Sequence, residues 1–344
     1  MTIHIVNPLW SANGGSERRA VELAGLLAGQ TRTRLWVDSG ADTSWLPPGI
    51  PLSRLRPGLL RFPRGGTLIF VGCYFLPPIW LRLARPERIV VLVNTPNPEH
   101  LIQFMTRLGT LKISTPVELR YAAEWLAEWL GIPGPVDVSP VDLERFKPRA
   151  TGAGAHTPFV VGRLSRNATY KHHQDDMEVY RCLASEGCHV RIMGAPHWLV
   201  QALKGTTGIE MLAPGKESAE DFLASLDCFY YRTDPCWVEP SGRVVFEAMA
   251  SGLPVVCGPG GYREWMRNGH DSLFVDSTEA ALAGLRTLAS DRVRAATLGA
   301  EARRSMERKF SAEALEQLTS SLREGSAGQP AHAILKLLAT NGFT

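Results

Sequence analysis

The chain has 344 residues, of which 44% are hydrophobic and 21% are charged, and its formal net charge is +3. This length predicts about two domains of roughly 150 residues each, and the composition supplies enough apolar side chains for two hydrophobic cores, which excludes a disordered or fibrous protein. Residues 1–150 carry 17 Lys and Arg against 12 Asp and Glu, whereas the remaining residues carry 20 against 22. A mildly basic first half suits an anionic partner, such as a lipid surface or a phosphorylated acceptor, and it equally fits an ordinary solvated surface.

Short β-branched runs alternate with helical patterns along the chain. Strands are predicted at the segments IHIVNP, TRLWVD, TLIFVG, IVVLVNT, PFVVGRL, HVRIMGA, CFYYRT and LPVVCG. Helices are predicted between them at SERRAVELAGLLAG, PVELRYAAEWLAEWLG, DDMEVYRCLASEG, SAEDFLASL and RVVFEAMASG, and a helical tail begins near residue 278. Alternation of this kind predicts an α/β protein whose sheets are parallel and whose connections are crossover helices.

A Pro- and Gly-rich segment, GIPGPVDVSPVDLERFKPRATGAGAHT, interrupts this rhythm and predicts a domain boundary near residues 145–156. We therefore expect a first Rossmann-like domain at 1–148 and a second at 149–325. The tail at 326–344 is predicted to pack back on the first domain. Two doubly wound domains predict a ligand cleft between them, at the carboxyl ends of the strands.

Nothing at the start of the chain reads as a secretion signal, because a predicted strand begins at once. The longest apolar run, LIFVGCYFLPPIWL, is interrupted by two prolines and is too short to cross a bilayer. We therefore expect a cytoplasmic protein, with peripheral contact at the inner face of the membrane left open.

Gly14 and Gly15 lie between the first predicted strand and the first predicted helix. A glycine pair at that point allows a ligand to approach the backbone closely, next to the free N–H groups of a helix N-terminus. The spacing is not G-x-G-x-x-G, which disfavours a dinucleotide site, and a flexible turn remains an alternative.

Gly162 and Arg163 come at the end of a predicted strand, and Lys171 follows eight residues later. Two fixed cations at the carboxyl end of a parallel sheet suit a diphosphate, and surface cations on a loop are the alternative. The pair His172 and His173 lacks a third ligand at a useful spacing, so no metal site is expected.

Glu239 and Glu247 are separated by seven residues in the segment EPSGRVVFE. The sequence predicts a helix that starts at Pro240 with Ser241 available as a cap, which places the two carboxylates about 12 Å apart along the helix axis. That separation is too long for a shared proton and suits one elongated ligand that offers hydroxyl groups. An internal salt bridge of Glu247 is the alternative.

Two further segments complete the set of candidates. A second Gly-Gly turn occurs in CGPGGYREWMRNG at residues 257–269, where it would present backbone amides. The segment RLRPGLLRFPR at 54–64 has four Arg and no acid, which predicts either a contact with an anionic membrane or phosphorylated lipid, or a plain cationic loop.

Four of these segments resemble, in their order and spacing, the family-4 retaining glycosyltransferases of the GT-B fold. They are the two Gly-Gly segments, the segment from Gly162 to Lys171 and the segment from Glu239 to Glu247. The resemblance is strongest over residues 158–310, which include VVGRL, the E-x7-E segment EPSGRVVFEAMASGLPVV, GGYRE and RRSMERKFS. GGSE near the start and VDLERFKP at 141–148 also match. The E-x7-E segment is fairly specific to such enzymes, whereas the two Gly-Gly loops are not.

The resemblance implies a role for each candidate in the second domain. Arg163 and Lys171 would hold the diphosphate of the donor, Glu239 would contact hydroxyl groups of the transferred sugar, and Glu247 would contact the ribose. The other residues implied in donor binding are Gly162, Ser241, Gly242 and Arg243 near the diphosphate, and Met193 and Leu212 near the base, which backbone groups would recognise.

In the first domain, the resemblance implies that the loop with Gly14 and Gly15 faces the reaction centre. Many relatives carry a histidine just after the IVVLV strand, where this chain has Asn94 and Thr95. His100, a few residues further on, is the candidate that would reach the site from a loop.

The function implied is transfer of a sugar, with retained anomeric configuration, from a nucleotide diphosphate-sugar to a hydroxyl of a glycan or lipid-linked acceptor in polysaccharide biosynthesis. No cofactor, metal ion or nucleic acid is expected to take part. Two alternatives stay open: a nucleotide-sugar epimerase on the same scaffold, and a catalytically inactive nucleotide- or sugar-binding regulatory protein.

Overall fold

The computed structural model describes residues 2–12, 14–149 and 157–343. Within them the chain forms twelve β-strands: β1 Thr2–Val6, β2 Arg32–Val37, β3 Leu52–Arg54, β4 Thr67–Val71, β5 Arg88–Val93, β6 Val117–Tyr121, β7 Val160–Leu164, β8 His189–Met193, β9 Ile209–Leu212, β10 Cys228–Tyr231, β11 Val255–Cys257 and β12 Leu273–Phe274. The same described residues form twelve α-helices: α1 Gly15–Ala28, α2 Leu81–Ala84, α3 Pro98–Thr110, α4 Glu124–Leu130, α5 Asp176–Ser185, α6 His197–Leu203, α7 Ala219–Ala224, α8 Arg243–Ala250, α9 Thr278–Ser290, α10 Arg292–Lys309, α11 Ala312–Glu324 and α12 Ala331–Thr340.

The chain divides into two compact units. Unit 1 consists of Met1–Pro140 and Ala312–Thr344, and unit 2 consists of Val141–Ser311. This division differs from the boundaries of 1–148, 149–325 and 326–344 that the sequence suggests.

Both C-terminal helices lie in unit 1. Leu322 of α11 is fully buried against the core of the first sheet, and the partly buried Leu318 packs beside it. Ile334 and Leu338 of α12 are buried among the residues on the other face of that sheet. Residues 312–325 therefore belong with the first unit, because their apolar side chains are buried there.

The sheet of unit 1 is parallel throughout, in the strand order β3-β2-β1-β4-β5-β6. Alternate residues of its central strands face opposite cores: Ile69 and Val71 pack on one face, and Leu68 and Phe70 on the other. Burial on both faces explains why these strands are almost continuously apolar in sequence.

One predicted helix is half strand. The segment PVELRYAAEWLAEWLG contains β6 followed by α4, which begins only at Glu124. Val117, Leu119 and Tyr121 alternate with Glu118 and Arg120, so the period of this stretch is two rather than 3.6. All five side chains are buried, because ion pairs satisfy the two polar ones inside the unit.

The sheet of unit 2 is also parallel, in the order β12-β11-β10-β7-β8-β9. From β7 the chain builds outward to β8 and β9, and it then returns to build β10, β11 and β12 on the other side. The order of strands therefore reverses between β7 and β10. In open α/β sheets, ligands bind at such a reversal, beside the carboxyl ends of the strands.

Among the described residues, none of the helices combines the length and the apolar character needed to cross a bilayer.

Candidate functional site

Arg163 lies at the reversal point of unit 2, near the carboxyl end of β7, and Tyr231 ends the neighbouring β10. The guanidinium carbon of Arg163 is 3.7 Å from the centroid of the Tyr231 ring. The arginine is fully buried and contributes no accessible surface. Stacking on the Tyr231 ring holds the planar guanidinium in one orientation and therefore fixes the directions of its N–H donors.

The hydrogen bonds of Arg163 are incomplete. Nη2 donates to the backbone carbonyls of Lys171 and Arg232, the second at 3.3 Å. Nε and Nη1 are buried and have no hydrogen-bond partner among the described residues. A buried guanidinium donor that lacks an acceptor is costly, which makes Arg163 a candidate ligand-binding residue.

Lys171 and Glu239 form a buried ion pair beside this arginine. Nζ of Lys171 donates to Oε2 of Glu239, and both side chains are about nine-tenths buried. Burial alone would raise the pKa of the Glu239 carboxyl, but the adjacent Lys171 ammonium outweighs it and lowers that pKa. Glu239 is therefore ionised at neutral pH, as a hydrogen-bond acceptor for hydroxyl groups has to be.

Four segments of unit 2 position this ion pair. Lys171 ends a short 3-10 helix over Thr169–Lys171, and Glu239 lies in the connection between β10 and α8. The hydroxyl of Tyr231 donates to the same Oε2 of Glu239 at 2.9 Å. The backbone N–H of Gly261, in the second Gly-Gly turn, donates to the Glu239 carbonyl at 2.8 Å. The structure therefore brings together Arg163, Lys171 and Glu239.

The predicted helix start at Pro240 is wrong. Helix α8 begins at Arg243, its N-cap is Gly242 with φ +56°, and no side chain caps it. A left-handed residue cannot continue a helix, and a Cβ at Gly242 would lie 2.3 Å from the Tyr262 ring, so glycine is required there. Ser241 therefore precedes the helix, and the 12 Å separation of Glu239 and Glu247 does not apply, because the chain between them is helical only from Arg243.

Glu247 forms the internal salt bridge that the sequence left as an alternative. Nε of Arg243 donates to Oε1 of Glu247 at 2.7 Å, one helical turn apart, and each of the two residues is 9% exposed. This ion pair uses Oε1 of Glu247 and does not use the second carboxylate oxygen, Oε2.

Met193 ends β8, and Leu212 ends the neighbouring edge strand β9. Their backbone carbonyls are already used within the sheet edge, because Ser165 N–H donates to Met193 O at 3.1 Å and Gly194 N–H donates to Leu212 O at 3.0 Å. Gly194 has φ +88°, and a Cβ there would lie 1.8 Å from the Ser165 carbonyl. The structure therefore uses both carbonyls inside the sheet edge.

In unit 1, Gly14 is the N-cap of α1 with φ −79°, and the exposed Gly15 is the first residue of that helix. His100 lies in the first turn of α3 rather than on a loop as expected, because Asn97 caps that helix through its contact with the Glu99 N–H. The Nδ1 atom of His100 is buried without a hydrogen-bond partner among the described residues. The glycines and His100 all follow strands that end at the same edge of the parallel sheet, after β1 and β5 respectively.

The sequence reasoning missed a second buried network beside Arg163. Asp176, fully buried at the start of α5, accepts hydrogen bonds from the Tyr230 hydroxyl at 2.7 Å and from Nε of Arg232 at 2.8 Å. Burial raises the pKa of the Asp176 carboxyl, although Arg232 acts in the opposite direction. The available signal was the Arg-Thr pair directly after the CFYY strand, which places a cation at the same strand end as Arg163.

His172 is also fully buried at this edge. Its Nε2 lies 2.8 Å from the Ser165 hydroxyl and 3.2 Å from the Gly194 carbonyl oxygen. Burial, together with the charge of Arg163, lowers the pKa of His172 to about 3. The ring is neutral at physiological pH and ties β7 to β8. Within the described residues, no three His, Cys, Asp or Glu side chains are grouped as metal ligands.

Comparison with known proteins places these residues in a recognised segment. Residues 155–291, which contain Arg163, Lys171, Glu239 and Glu247, match the family model described as "Glycosyl transferases group 1". No curated protein matches the chain.

Several solved structures share the fold over nearly the whole chain. Anabaena HepE in complex with UDP-glucose has a TM-score of 0.71 and 15% identity, covering 94% of this chain and 100% of that one. WaaG, a glycosyltransferase involved in lipopolysaccharide biosynthesis, has a TM-score of 0.67 and 11% identity, covering 94% and 100%. Sucrose-phosphate synthase from Thermosynechococcus elongatus has a TM-score of 0.72 and 15% identity, covering 94% and 98%.

Together, the two six-stranded parallel sheets and these neighbours give the chain the GT-B fold, which confirms the expected fold class. Within unit 2, residues 155–291 are similar to the group 1 glycosyl transferases.

Proposed function

We propose that this protein is a retaining glycosyltransferase that moves a sugar from a nucleotide diphosphate-sugar to an acceptor hydroxyl without a metal ion. One observation carries the proposal: at the reversal point of unit 2, the buried Arg163 has two donor nitrogens without partners, next to the Lys171–Glu239 ion pair. The match of residues 155–291 to group 1 glycosyl transferases and the UDP-glucose bound by HepE support it.

Arg163 and Lys171 would bind the donor diphosphate. The free Nε and Nη1 of Arg163 would donate to phosphate oxygens, for which the rigid guanidinium fork is well suited. The Lys171 ammonium has three hydrogens and donates one to Glu239, so it would bridge the carboxylate and the diphosphate without breaking the ion pair.

The two glutamates would fix the two ends of the donor. Tyr231 and Lys171 both contact Oε2 of Glu239, which leaves Oε1 to accept from hydroxyl groups of the sugar. Oε2 of Glu247 would accept from the ribose while Arg243 holds Oε1. Ser241 and Gly242, in the non-helical link before α8, would lie beside the diphosphate.

Departure of the nucleoside diphosphate is the demanding step, because negative charge builds up on the leaving oxygen as the bond to the anomeric carbon breaks. Fixed cations in a buried site stabilise that charge without reorganisation, and Arg163 and Lys171 would supply this effect in place of a divalent metal. The acceptor hydroxyl would then bond through its oxygen to the same face of the anomeric carbon, and its proton would pass to the departing phosphate oxygen.

Unit 1 would bind the acceptor, a glycan or a lipid-linked glycan. The first turn of α1 with Gly14 and Gly15, and His100 on α3, are the groups proposed to face it. Trp10 adds an exposed aromatic face, since 63% of its surface is accessible and its ring packs edge-on against Tyr74. Aromatic faces of this kind suit the apolar side of a sugar ring.

A nucleotide screen tests the proposal. The melting temperature would be measured with UDP, GDP, ADP and dTDP, and at least one should raise it because ligand binding stabilises the folded state. Release of that nucleoside diphosphate from its sugar donors would then be measured in the presence of glycan acceptors. Conversion of the sugar without nucleotide release would indicate an epimerase, and binding without turnover an inactive regulatory protein.

Glu239→Ala provides the site-specific arm of the test. This substitution should lower the rate of nucleotide release by about 100-fold, because the hydroxyl groups of the sugar lose a hydrogen-bond acceptor and Lys171 loses its ion-pair partner. Glu279→Ala, which removes an exposed carboxylate at the start of α9, is the matched control and should leave the rate unchanged. Equal rates for both variants would contradict the assignment.

A further inference from the structure

The surface of unit 1 contains a long stretch without any acidic residue. Between Asp42 and Glu87 the sequence has six arginines, no lysine and no Asp or Glu. The segment 54–64, for which the sequence leaves a contact with an anionic membrane or phosphorylated lipid and a plain cationic loop as alternatives, forms only part of this stretch. The arginines are Arg54, Arg56, Arg61, Arg64, Arg82 and Arg85.

The same stretch exposes large apolar side chains. Five of the ten exposed large hydrophobic residues within the described part of the chain fall between residues 59 and 83. They are Leu59 (67% exposed), Leu60 (62%), Leu76 (57%), Ile79 (64%) and Leu83 (62%). Single exposed leucines are ordinary, but five in 25 residues form a patch that indicates an interaction surface.

The first segment is held in a fixed shape. The backbones of Arg56 and Arg61 pair through hydrogen bonds of 2.9 and 3.1 Å, and a short 3-10 helix over Pro57–Leu59 closes the loop between them. Leu60 has φ +55°, a conformation that is unfavourable for a residue with a bulky side chain. The loop therefore keeps Leu59 and Leu60 exposed at a cost in backbone energy, as functional loops do.

The second segment packs directly against the first. The rings of Phe62 and Trp80 stack with centroids 5.8 Å apart, and Gly65 N–H donates to the Ala84 carbonyl at 2.7 Å. Both rings are buried, whereas Ile79, next to Trp80, and Leu83 are exposed. The two segments therefore form one continuous surface, which we call the basic apolar surface and define as residues 56–61, Arg64 and 76–85.

Most of the arginines on this stretch are free to meet a partner. Arg54 is not, because its Nη1 donates to the carbonyls of Ser39 and Ala41 at 2.9 Å. The other five side chains, at 56, 61, 64, 82 and 85, are exposed. The next acidic residue along the sequence, Glu87, follows Arg85 by two positions and accepts a hydrogen bond from the Gly66 N–H at 3.4 Å.

We propose that the basic apolar surface docks on an anionic lipid bilayer. Leucine and isoleucine side chains would enter the boundary between headgroups and acyl chains, while the five arginines would contact lipid phosphates. A second copy of the chain fits this surface less well, because self-association would bring five arginines of each copy together without an acid. The proposal rests on unit 1 alone and does not depend on the proposed sugar transfer.

Vesicle flotation with the full chain tests the proposal. The protein should bind vesicles of phosphatidylcholine containing about one-third phosphatidylglycerol and should bind phosphatidylcholine alone at least about tenfold more weakly. Because exposed charges are screened by salt, binding should weaken strongly at about 0.5 M sodium chloride.

Two variants separate the charged and apolar contributions. Arg56→Gln/Arg61→Gln/Arg64→Gln should lower the partition coefficient by about 100-fold, since each arginine near an anionic surface contributes about fivefold. Leu59→Ser/Ile79→Ser should lower it by about tenfold, because two apolar side chains no longer enter the bilayer.

Matched controls exclude effects of net charge and surface hydrophobicity. Arg32→Gln/Arg294→Gln/Arg308→Gln removes the same charge from exposed sites elsewhere, and Val293→Ser removes an apolar side chain that is 78% exposed. Both should bind vesicles within about twofold of the wild type. An unchanged melting temperature would show that every variant is folded.

Three results would overturn the proposal: no binding to the anionic vesicles, equal losses in the arginine variant and its control, or a dimer that Leu59→Ser/Ile79→Ser converts to a monomer. The nucleotide screen would be unaffected by any of them, so failure of membrane docking remains distinct from failure of the proposed function.

Discussion

Arg120 in unit 1 and Arg163 in unit 2 are both fully buried, but their hydrogen bonding differs. The guanidinium of Arg120 donates through all three nitrogens, to both oxygens of Asp137, to Glu118 and to Ser321. Arg163 donates through Nη2 to two backbone carbonyls, and no carboxylate of the described residues accepts from it. The difference shows that burial and charge do not by themselves identify a binding site.

Saturation of the donors separates the two roles. A buried cluster whose donors are all used stabilises the fold, because breaking it leaves uncompensated charges. A buried arginine with two unused nitrogens is costly unless something else accepts from them. We therefore interpret the Arg120 cluster as structural and the Arg163 cluster as the ligand site.

Replacing Arg163 gives the largest expected effect. Arg163→Met should lower kcat/KM for nucleotide release by about 1000-fold, because the leaving diphosphate loses a preorganised cation. The free energy of unfolding, measured in urea, should change little, since the substitution removes two unpaired buried donors. If Arg163→Met were active but unstable, Arg163 would have the structural role that we assign to Arg120.

Arg120→Met should have the opposite profile. The free energy of unfolding should fall by about 3 kcal/mol, because Asp137 and Glu118 remain buried without their shared partner. The variant should still bind the donor at unit 2, which would be measured as the rise in its melting temperature when the nucleotide is added. Unchanged urea stability would show that the saturated cluster is not a structural element.

The pH dependence of stability sharpens the comparison at His172. Its pKa is lowered from 6.5 to about 3 by burial, so the unfolded histidine takes up a proton over a range in which the folded one stays neutral. Protonation then favours the unfolded state, and stability should fall as the pH decreases from about 6.5 towards 3, by up to about 1.4 kcal/mol per pH unit.

His172→Gln should remove this contribution, because the amide does not titrate. Urea unfolding at pH 7 and pH 5 would measure the difference in slope between the variant and the wild type. His197→Gln, in the first turn of α6 and exposed, is the control and should keep the wild-type slope. Parallel slopes for wild type and His172→Gln would contradict the assigned cause.

Glu247→Ala gives the smallest expected effect. The Kd for the nucleoside diphosphate should rise about tenfold, since the ribose loses one charged acceptor and Arg243 loses its partner. Glu247→Gln should retain part of the affinity, because the amide oxygen still accepts a hydrogen bond. Calorimetric titration of the nucleotide would measure both. No change in either variant would show that the Arg243–Glu247 pair only stabilises α8.

The fold was predictable from local patterns, because strands buried on both faces appear as apolar runs. The segment of β6 was misassigned as helix, because Glu118 and Arg120 interrupt the apolar pattern, and the short strands β3, β9 and β12 were not predicted. Arg120 donates to Asp137 and Ser321, and Glu118 accepts from the Ser326 N–H, so the burial of this stretch depends on residues outside it. The placement of α11 was missed for the same reason, since it depends on contacts with strands near the start of the chain.

The candidate site was predictable in its residues but not in its pairings. Arg163, Lys171 and Glu239 were selected by position after strands and by motif, and the structure brings these three side chains together. The contact of Lys171 with Glu239 joins residues that are 68 positions apart, and no spacing rule covers it. The start of α8 was misplaced because Pro240 and Ser241 suit a helix start, whereas the left-handed Gly242 determines it.

The Arg120 cluster also bears on how the chain folds as it is synthesised. Glu118 accepts a hydrogen bond from the backbone of Ser326, and Arg88 donates to the carbonyl of Leu322. These partners leave the ribosome only after all of unit 2. Unit 2 is continuous in sequence and can complete its sheet during translation, whereas the Glu118–Arg120–Asp137 cluster of unit 1 lacks its neutral partners at Ser321, Leu322 and Ser326 until those residues are synthesised. The unit that begins the chain is therefore the unit that is finished last.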